Sequence, residues 1–150
     1  MQNPREAIFE ALLAQLATAQ LNGDPAFVTL SRKFQQWESV PDANQPAGFL
    51  LKGFEHANQR SYGETTWRLR ALFWVYCLHS PDSSSIPGAM LNELLDAIEA
   101  AMLPPPGGLQ TLGGLVTHAY IDGDIIVSEG SLPEDRQSIA VVPISMDTAI

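Results

Sequence analysis

Three histidines, one cysteine and a surplus of carboxylates are the side chains of this 150-residue sequence that could do chemistry. Metal binding needs His, Cys, Asp or Glu ligands at short, regular spacing. His56, His79 and His118 share no H-x-x-x-H spacing, and Cys77 adds no partner ligand. Asp122-Gly123-Asp124, near His118, lacks the further oxygen donors of a calcium loop, so it reads as a turn chosen for its backbone. The pairs Gly107-Gly108 and Gly113-Gly114 precede no G-K-S or G-K-T and follow a helix pattern instead of opening one. That argues against a phosphate loop. A G-x-S-x-G nucleophile elbow is absent. No pair of acids is marked as catalytic, because carboxylate separation is not encoded in this spacing. The expectation is a protein that is not an enzyme, with no cofactor and no catalytic or metal site.

Two arginines remain. Arg68 and Arg70 are two residues apart in "TTWRLRALFWVYCL", residues 65–78, where apolar side chains alternate with period two. One face carries Trp67, Leu69, Ala71, Phe73, Val75 and Cys77. The other carries Thr66, Arg68, Arg70, Leu72, Trp74, Tyr76 and Leu78. Both arginines therefore project from one face of a strand. At ~3.3 Å per residue this strand would be roughly 46 Å long. A compact domain of this size has a diameter of roughly 38 Å. Such a strand must bend, carry a bulge or protrude. On the protruding reading, Arg68 and Arg70 meet an acidic neighbour, while Leu72, Trp74, Tyr76 and Leu78 lie under helices. Cys77 reads as a buried, inert thiol.

Charge is distributed unevenly. The net charge is −9, and residues 1–80 balance while residues 81–150 carry the whole deficit, with Arg136 their one basic residue. A chain poor in clustered Lys and Arg has little basis for gripping phosphates, so specific nucleic-acid binding is not expected. No apolar run approaches the ~20 residues of a membrane span. The N-terminus lacks the pattern of a signal peptide. One cysteine permits no intramolecular disulfide, which points to a cytosolic folding compartment.

The elements that would position these residues can be read in order. Asn3, Pro4 and Glu6 mark a helix start, with a capping box, and Ile8, Phe9, Leu12, Leu13 and Leu16 form its stripe. Asn22-Gly23-Asp24-Pro25 ends it. Residues 26–34 and 48–55 read as strands, and residues 56–64 as a turn or loop before the long third strand. An antiparallel meander is the simplest arrangement of the three. A second helix is expected over residues 88–103, with Leu91, Leu94, Leu95, Ile98 and Met102 buried, and "PPPGG" stops it. Two or three further strands follow, with a hairpin at Asp122-Gly123. Pro143 inside the last one argues for a sheet edge or a bulge. The expected fold is a single α+β domain over residues 1–150: a mostly antiparallel sheet covered on one face by two helices.

In this succession the chain resembles the tail-terminator (tail-completion, minor tail) proteins of long-tailed bacteriophages. The resemblance spans nearly the whole chain: "PREAIFEALLAQL", "VTLSRKFQQWESV" with Arg32 and Trp37, "QPAGFLL", "TWRLRALFWVYC", "LNELLDAIEAAMLP", "QTLGGLVTHAYIDGDI" and "AVVPISM". Where relatives often carry another aromatic, this chain has Ala119 or Tyr120. The resemblance implies a homo-hexameric ring that caps the tail tube, ends its polymerisation and presents a surface to the head or connector. The implied partners are the chain itself, the tail tube protein and the head–tail connector, with DNA only passing through the lumen and no membrane. The implied location is the tail–neck junction of the virion, after assembly in the host cytoplasm. A ring needs two different complementary patches, and the uneven charge offers them. On this reading Arg68 and Arg70 face a neighbouring subunit, while Asp122, Asp124 and Glu129 face the lumen or the tube. Another neck or head–tail joining protein, a small α+β ligand-binding or enzyme domain, and an adaptor acting through an edge strand remain alternatives. A concave pocket around His56 or His118 would favour the ligand-binding one.

Overall fold

Asn3 starts the first helix: its side chain accepts a hydrogen bond from the Arg5 N–H at 3.0 Å, and Pro4 takes the first helical position, where no N–H is needed. The computed structural model describes residues 3–59, 63, 65–79, 86, 88–129 and 136–150. Helix α1 (Pro4–Leu16) buries Ile8, Phe9, Leu12 and Leu16. Glu6 ion-pairs with Arg32. The expected turn at residues 22–25 belongs to a small hairpin, β1 (Gln20–Leu21) against β2 (Asp24–Pro25). Asn22 and Gly23 supply its two positive φ angles, 53° and 86°.

A six-stranded sheet follows from β3 (Thr29–Ser31), β4 (Ala47–Gln59), β5 (Thr65–Leu78), β6 (His118–Ile121), β7 (Ile126–Ser128) and β8 (Gln137–Thr148). Helix α2 (Ala89–Met102) lies between β5 and β6 in the chain. The strand order is β3-β4-β5-β8-β6, with β7 also pairing β8. This is the α+β fold expected. The loop expected at residues 56–64 starts later, because His56 to Gln59 continue β4; of residues 60–64 only Gly63 is described.

Four expectations need correction. At Asp122-Gly123 there is no hairpin: β6 and β7 both run antiparallel to β8 along the same side, so residues 122–125 interrupt one line of strand instead of reversing it. The first three strands are not a meander: β4 and β5 are antiparallel, but β3 pairs β4 in parallel. Residues 32–46 form a crossover with two 3₁₀ turns, Trp37–Ser39 and Asp42–Asn44, long enough to bring the chain back in the same direction. The last strand is not at an edge, since β8 lies between β5 and the collinear strands β6 and β7. Pro143 is tolerated because its missing N–H faces the gap between β6 and β7. Its carbonyl accepts from the Asp122 N–H on that same side at 3.0 Å. Last, the helices cover the other face of β5. Leu69, Ala71, Phe73, Val75 and Cys77 join Ala140, Val142, Ile144 and Met146 of β8 beneath α1 and α2, forming the main core. Truncating a side chain as buried as Phe73 costs about 3–5 kcal/mol.

The length of β5 is matched by its neighbours. β8 pairs it from Trp67 to Leu78 without a break, and β4 pairs it with one register shift between Lys52 and Glu55. The bulge therefore falls on β4, not on the arginine-bearing strand. One edge is formed by the short strands β6 and β7; on the other, β3 covers only Ala47, Gly48 and Phe49 of β4.

Candidate interaction surface

Alternation along β5 and its long pairing with β8 place the residues of the uncovered face in rows across the sheet. In one row His56, Arg68, Asp147 and His118 are successive partners on β4, β5, β8 and β6. Arg68 Nε donates to Asp147 Oδ1 at 2.9 Å, and the Tyr120 hydroxyl donates to Asp147 Oδ2 at 3.1 Å. The hydrogen bond to Asp147 raises the pKa of Arg68 further. Partial burial, then the bond to Asp147, raises that of Tyr120. The His118 ring stacks on Tyr120 with centroids 4.6 Å apart. In the next row Arg70 lies opposite Ser145. Its guanidinium is 3.5 Å from Asp122 Oδ2, which also accepts from Ser145 Oγ at 2.9 Å, and it lies 5.4 Å from the Phe54 ring centre.

Arg68 and Arg70 thus share a face, and each meets an acid of its own chain. Of the acids proposed from sequence, Asp122 is brought to Arg70. Asp124 stands exposed in the segment that joins β6 to β7, and Glu129 lies beside Gly88 at the start of α2, where a Cβ would collide with its carboxylate. The sequence reading missed Asp147, Tyr120 and Ser145. The available signal was parity: Asp147 and Ser145 are two apart in β8 as Arg68 and Arg70 are in β5.

The remainder of this face is apolar. Leu51 and Leu72 share one row with Pro143, and Phe49, Trp74, Val141 and Ile126 share the next. Leu72, Trp74, Val141 and Ile139 are half-buried, while Ile126 is 68% exposed. At one end the crossover 32–46 takes the place expected for a helix. Val40 packs with Ala47, Phe49 and Tyr76, Phe34 meets Trp74 edge-on at 5.2 Å, and the Tyr76 hydroxyl donates to the Gln35 carbonyl at 2.7 Å. A cleft of about 400 Å³ remains there between Phe34, Trp37, Trp74 and Ile139. No family model matches the chain, and no curated protein matches it.

Cys77 is buried, and burial pushes its thiol up to about 11. Among the described residues no group of three or more His, Cys, Asp or Glu is placed to hold a metal ion, and no helix is long and apolar enough to cross a membrane. A concave site does open at the polar end of the face. This cleft of about 470 Å³ is lined by His56, Asn58, Thr66, Trp67, Arg68 and Asp147, among others. It has the volume of a small-ligand site.

On the helix side, at this same end of the sheet, a second charged cluster ties α1 to the strands. Glu55 accepts from Arg5 Nε at 3.0 Å and lies 2.9 Å from Lys52 Nζ. Arg5 also covers the Trp67 ring at 4.7 Å, and Arg32 covers Phe9 at 5.3 Å. The result is that Arg5, Arg32, Lys52, Arg68 and Arg70 all pair within the chain.

Proposed function

We propose that this chain is a structural subunit of a long-tailed phage virion, a tail terminator that closes into a ring on the end of the tail tube. The ring would stop tube polymerisation and present a docking surface to the head or connector. One observation carries the reading beyond the sequence resemblance: the apolar band Leu51, Leu72, Trp74, Val141 and Ile126, which neither helix covers. An uncovered sheet face of this kind supports a protein contact. A ring contact joins two different patches, so this face would meet another part of the next subunit.

With Arg68 and Arg70 engaged inside the chain, the contact on this face would be mainly apolar and only weakly sensitive to salt. Solution mass against protein concentration, with electron microscopy of the same samples, tests the ring. Particles assembled without this chain test the terminator role: overlong tubes are expected. Tubes of normal length would move the reading to another neck or head–tail joining protein.

One observation favours a second reading. The cleft between His56 and Arg68 brings polar groups and Trp67 together at a size that suits a small ligand. A thermal-shift screen of small anionic and aromatic compounds, repeated on Arg68→Gln, tests it. Loss of a stabilising hit in that variant supports the reading, and a screen without hits removes it.

A further inference from the structure

Between Arg70 and Arg136 the chain contains no lysine or arginine, and α2 and the β6–β7 segment both fall in that interval. The two elements enclose a groove of about 430 Å³ on the helix side of the sheet. Its floor is Leu95, Met102, Leu103, Ile121 and Ile125, and Asp96 and Glu99 stand in its wall. Leu103 is 61% exposed. Asp124 stands exposed next to Ile125, and Glu129 lies beside Gly88 at the start of α2. None of these carboxylates pairs with a cation among the described residues.

We infer that this groove docks a short amphipathic segment of a partner protein whose apolar side chains are flanked by lysine or arginine. The apolar floor calls for aliphatic or aromatic anchors, and an uncompensated acidic rim selects the sign of the flanking charge. From Leu95 to Leu103 the helix rises ~12 Å, enough for about two turns of a bound helix. A second copy of this chain is a poor occupant, because most cations among its described residues are already engaged. Arg5, Arg32, Lys52, Arg68 and Arg70 pair with carboxylates, which leaves Lys33 and Arg136, the latter donating to the His79 carbonyl, without a carboxylate partner among the described residues. The inference does not depend on ring closure, which solution mass reads separately.

The test uses the full chain and three synthetic peptides: an amphipathic Leu/Lys helix, the same helix with Glu in place of Lys, and a Gly/Lys peptide without apolar residues. Binding is followed through the methyl NMR signals of Leu95, Leu103, Ile121 and Ile125. The Leu/Lys peptide is expected to bind with shifts confined to these methyls, and to weaken as salt rises. The double variant Asp96→Lys, Glu99→Lys, at exposed positions, is expected to lose about tenfold or more in affinity. Leu103→Ala is expected to weaken binding without changing its salt dependence. Equal binding of the Glu peptide, equal binding of the Gly/Lys peptide, shifts on the open sheet face, or full affinity in the double variant would each overturn the inference. So would movement of the same methyl signals on simple dilution of the protein, which would assign the groove to a second copy.

Discussion

Arg68 lies directly opposite Asp147 in the β5–β8 ladder, and its Nε donates to Asp147 Oδ1 at 2.9 Å while the Tyr120 hydroxyl holds the other carboxylate oxygen. The two paired side chains are 50% and 35% exposed, so water screens the attraction. Asp147→Asn is expected to lower stability by at most about 1 kcal/mol in urea denaturation. Its clearer mark is on Tyr120, whose phenol is raised first by burial and second by Asp147. In the variant the phenol titrates lower than in the parent but still above the ordinary value, because burial remains. A raised phenol pKa favours the folded state below the unfolded value of about 10, and that contribution is lost as pH rises through the folded value. Ultraviolet titration with Tyr120→Phe as the reference reads this. An unchanged Tyr120 titration in Asp147→Asn would contradict the coupling.

Glu55 makes the opposite prediction. The hydrogen bond from Lys52 is the largest cause holding its carboxyl below the usual range; partial burial opposes it, and Arg5 adds to the lowering. The stability it supplies is present above the unfolded carboxylate pKa of about 4.3 and is lost as pH falls through that value and below. Glu55→Gln should therefore flatten the acid limb of the stability profile and cost about 1 kcal/mol or less at neutral pH. An acid limb as steep as the parent's would show that other carboxylates carry it.

Cys77 should be silent to thiol reagents. It lies on the buried face of β5 opposite Ser138, and burial raises its thiol to about 11. At pH 8 very little thiolate exists, and what exists is shielded. Reaction with a disulfide reagent is expected only as denaturant opens the sheet, with the rate following unfolding. Rapid labelling of the native protein would mean that this part of the sheet opens locally.

Much of the fold was legible because local signals agreed with one another. Asn3 and Pro4 marked a helix start that the side chains then executed, and the period-two run from Thr65 to Leu78 is the strand it resembled. What stayed hidden depended on partners distant in sequence. Nothing local distinguishes a return in parallel from a hairpin over residues 32–46, so β3 was misplaced. Pro143 reads locally as an edge residue, and only the gap between β6 and β7 makes it acceptable in the sheet interior. The same limit applied to the charged residues. Arg68 and Arg70 were rightly placed on one face, but their acids lie on β8 and in the segment joining β6 to β7, and register alone brings them together.

Gly48 is a packing requirement invisible in sequence. It pairs with Val75, and a Cβ added there would lie 2.5 Å from a ring carbon of Phe73 and 2.9 Å from Leu30 Cδ2. Its φ is ordinary for a strand, so the constraint is space and not conformation. Gly48→Ala is expected to cost about 1–3 kcal/mol by overpacking. Phe73→Leu shortens the obstructing side chain, so the double variant should lose less than the sum of the two single changes. Strict additivity in a double-mutant cycle would show that the ring is not what Gly48 accommodates.

The apolar band gives the sharpest test of assembly. Ile126 is highly exposed and shares a row with Trp74 and Val141. Ile126→Lys should therefore change the stability of the isolated chain by no more than about 0.5 kcal/mol. If the band is a subunit contact, the same change places a charge in a desolvated patch and weakens association by about tenfold or more. Sedimentation of parent and variant over one concentration series compares the two effects directly. The salt series then separates the forces: a contact made by this band persists as ionic strength rises, whereas a contact made by unpaired arginines dissolves. Rings that tolerate Ile126→Lys and fall apart in salt would move the contact off this face. Arg68 and Arg70 would then have to leave Asp147 and Asp122 to make it, and charge reversal at those two acids would strengthen assembly instead of leaving it alone.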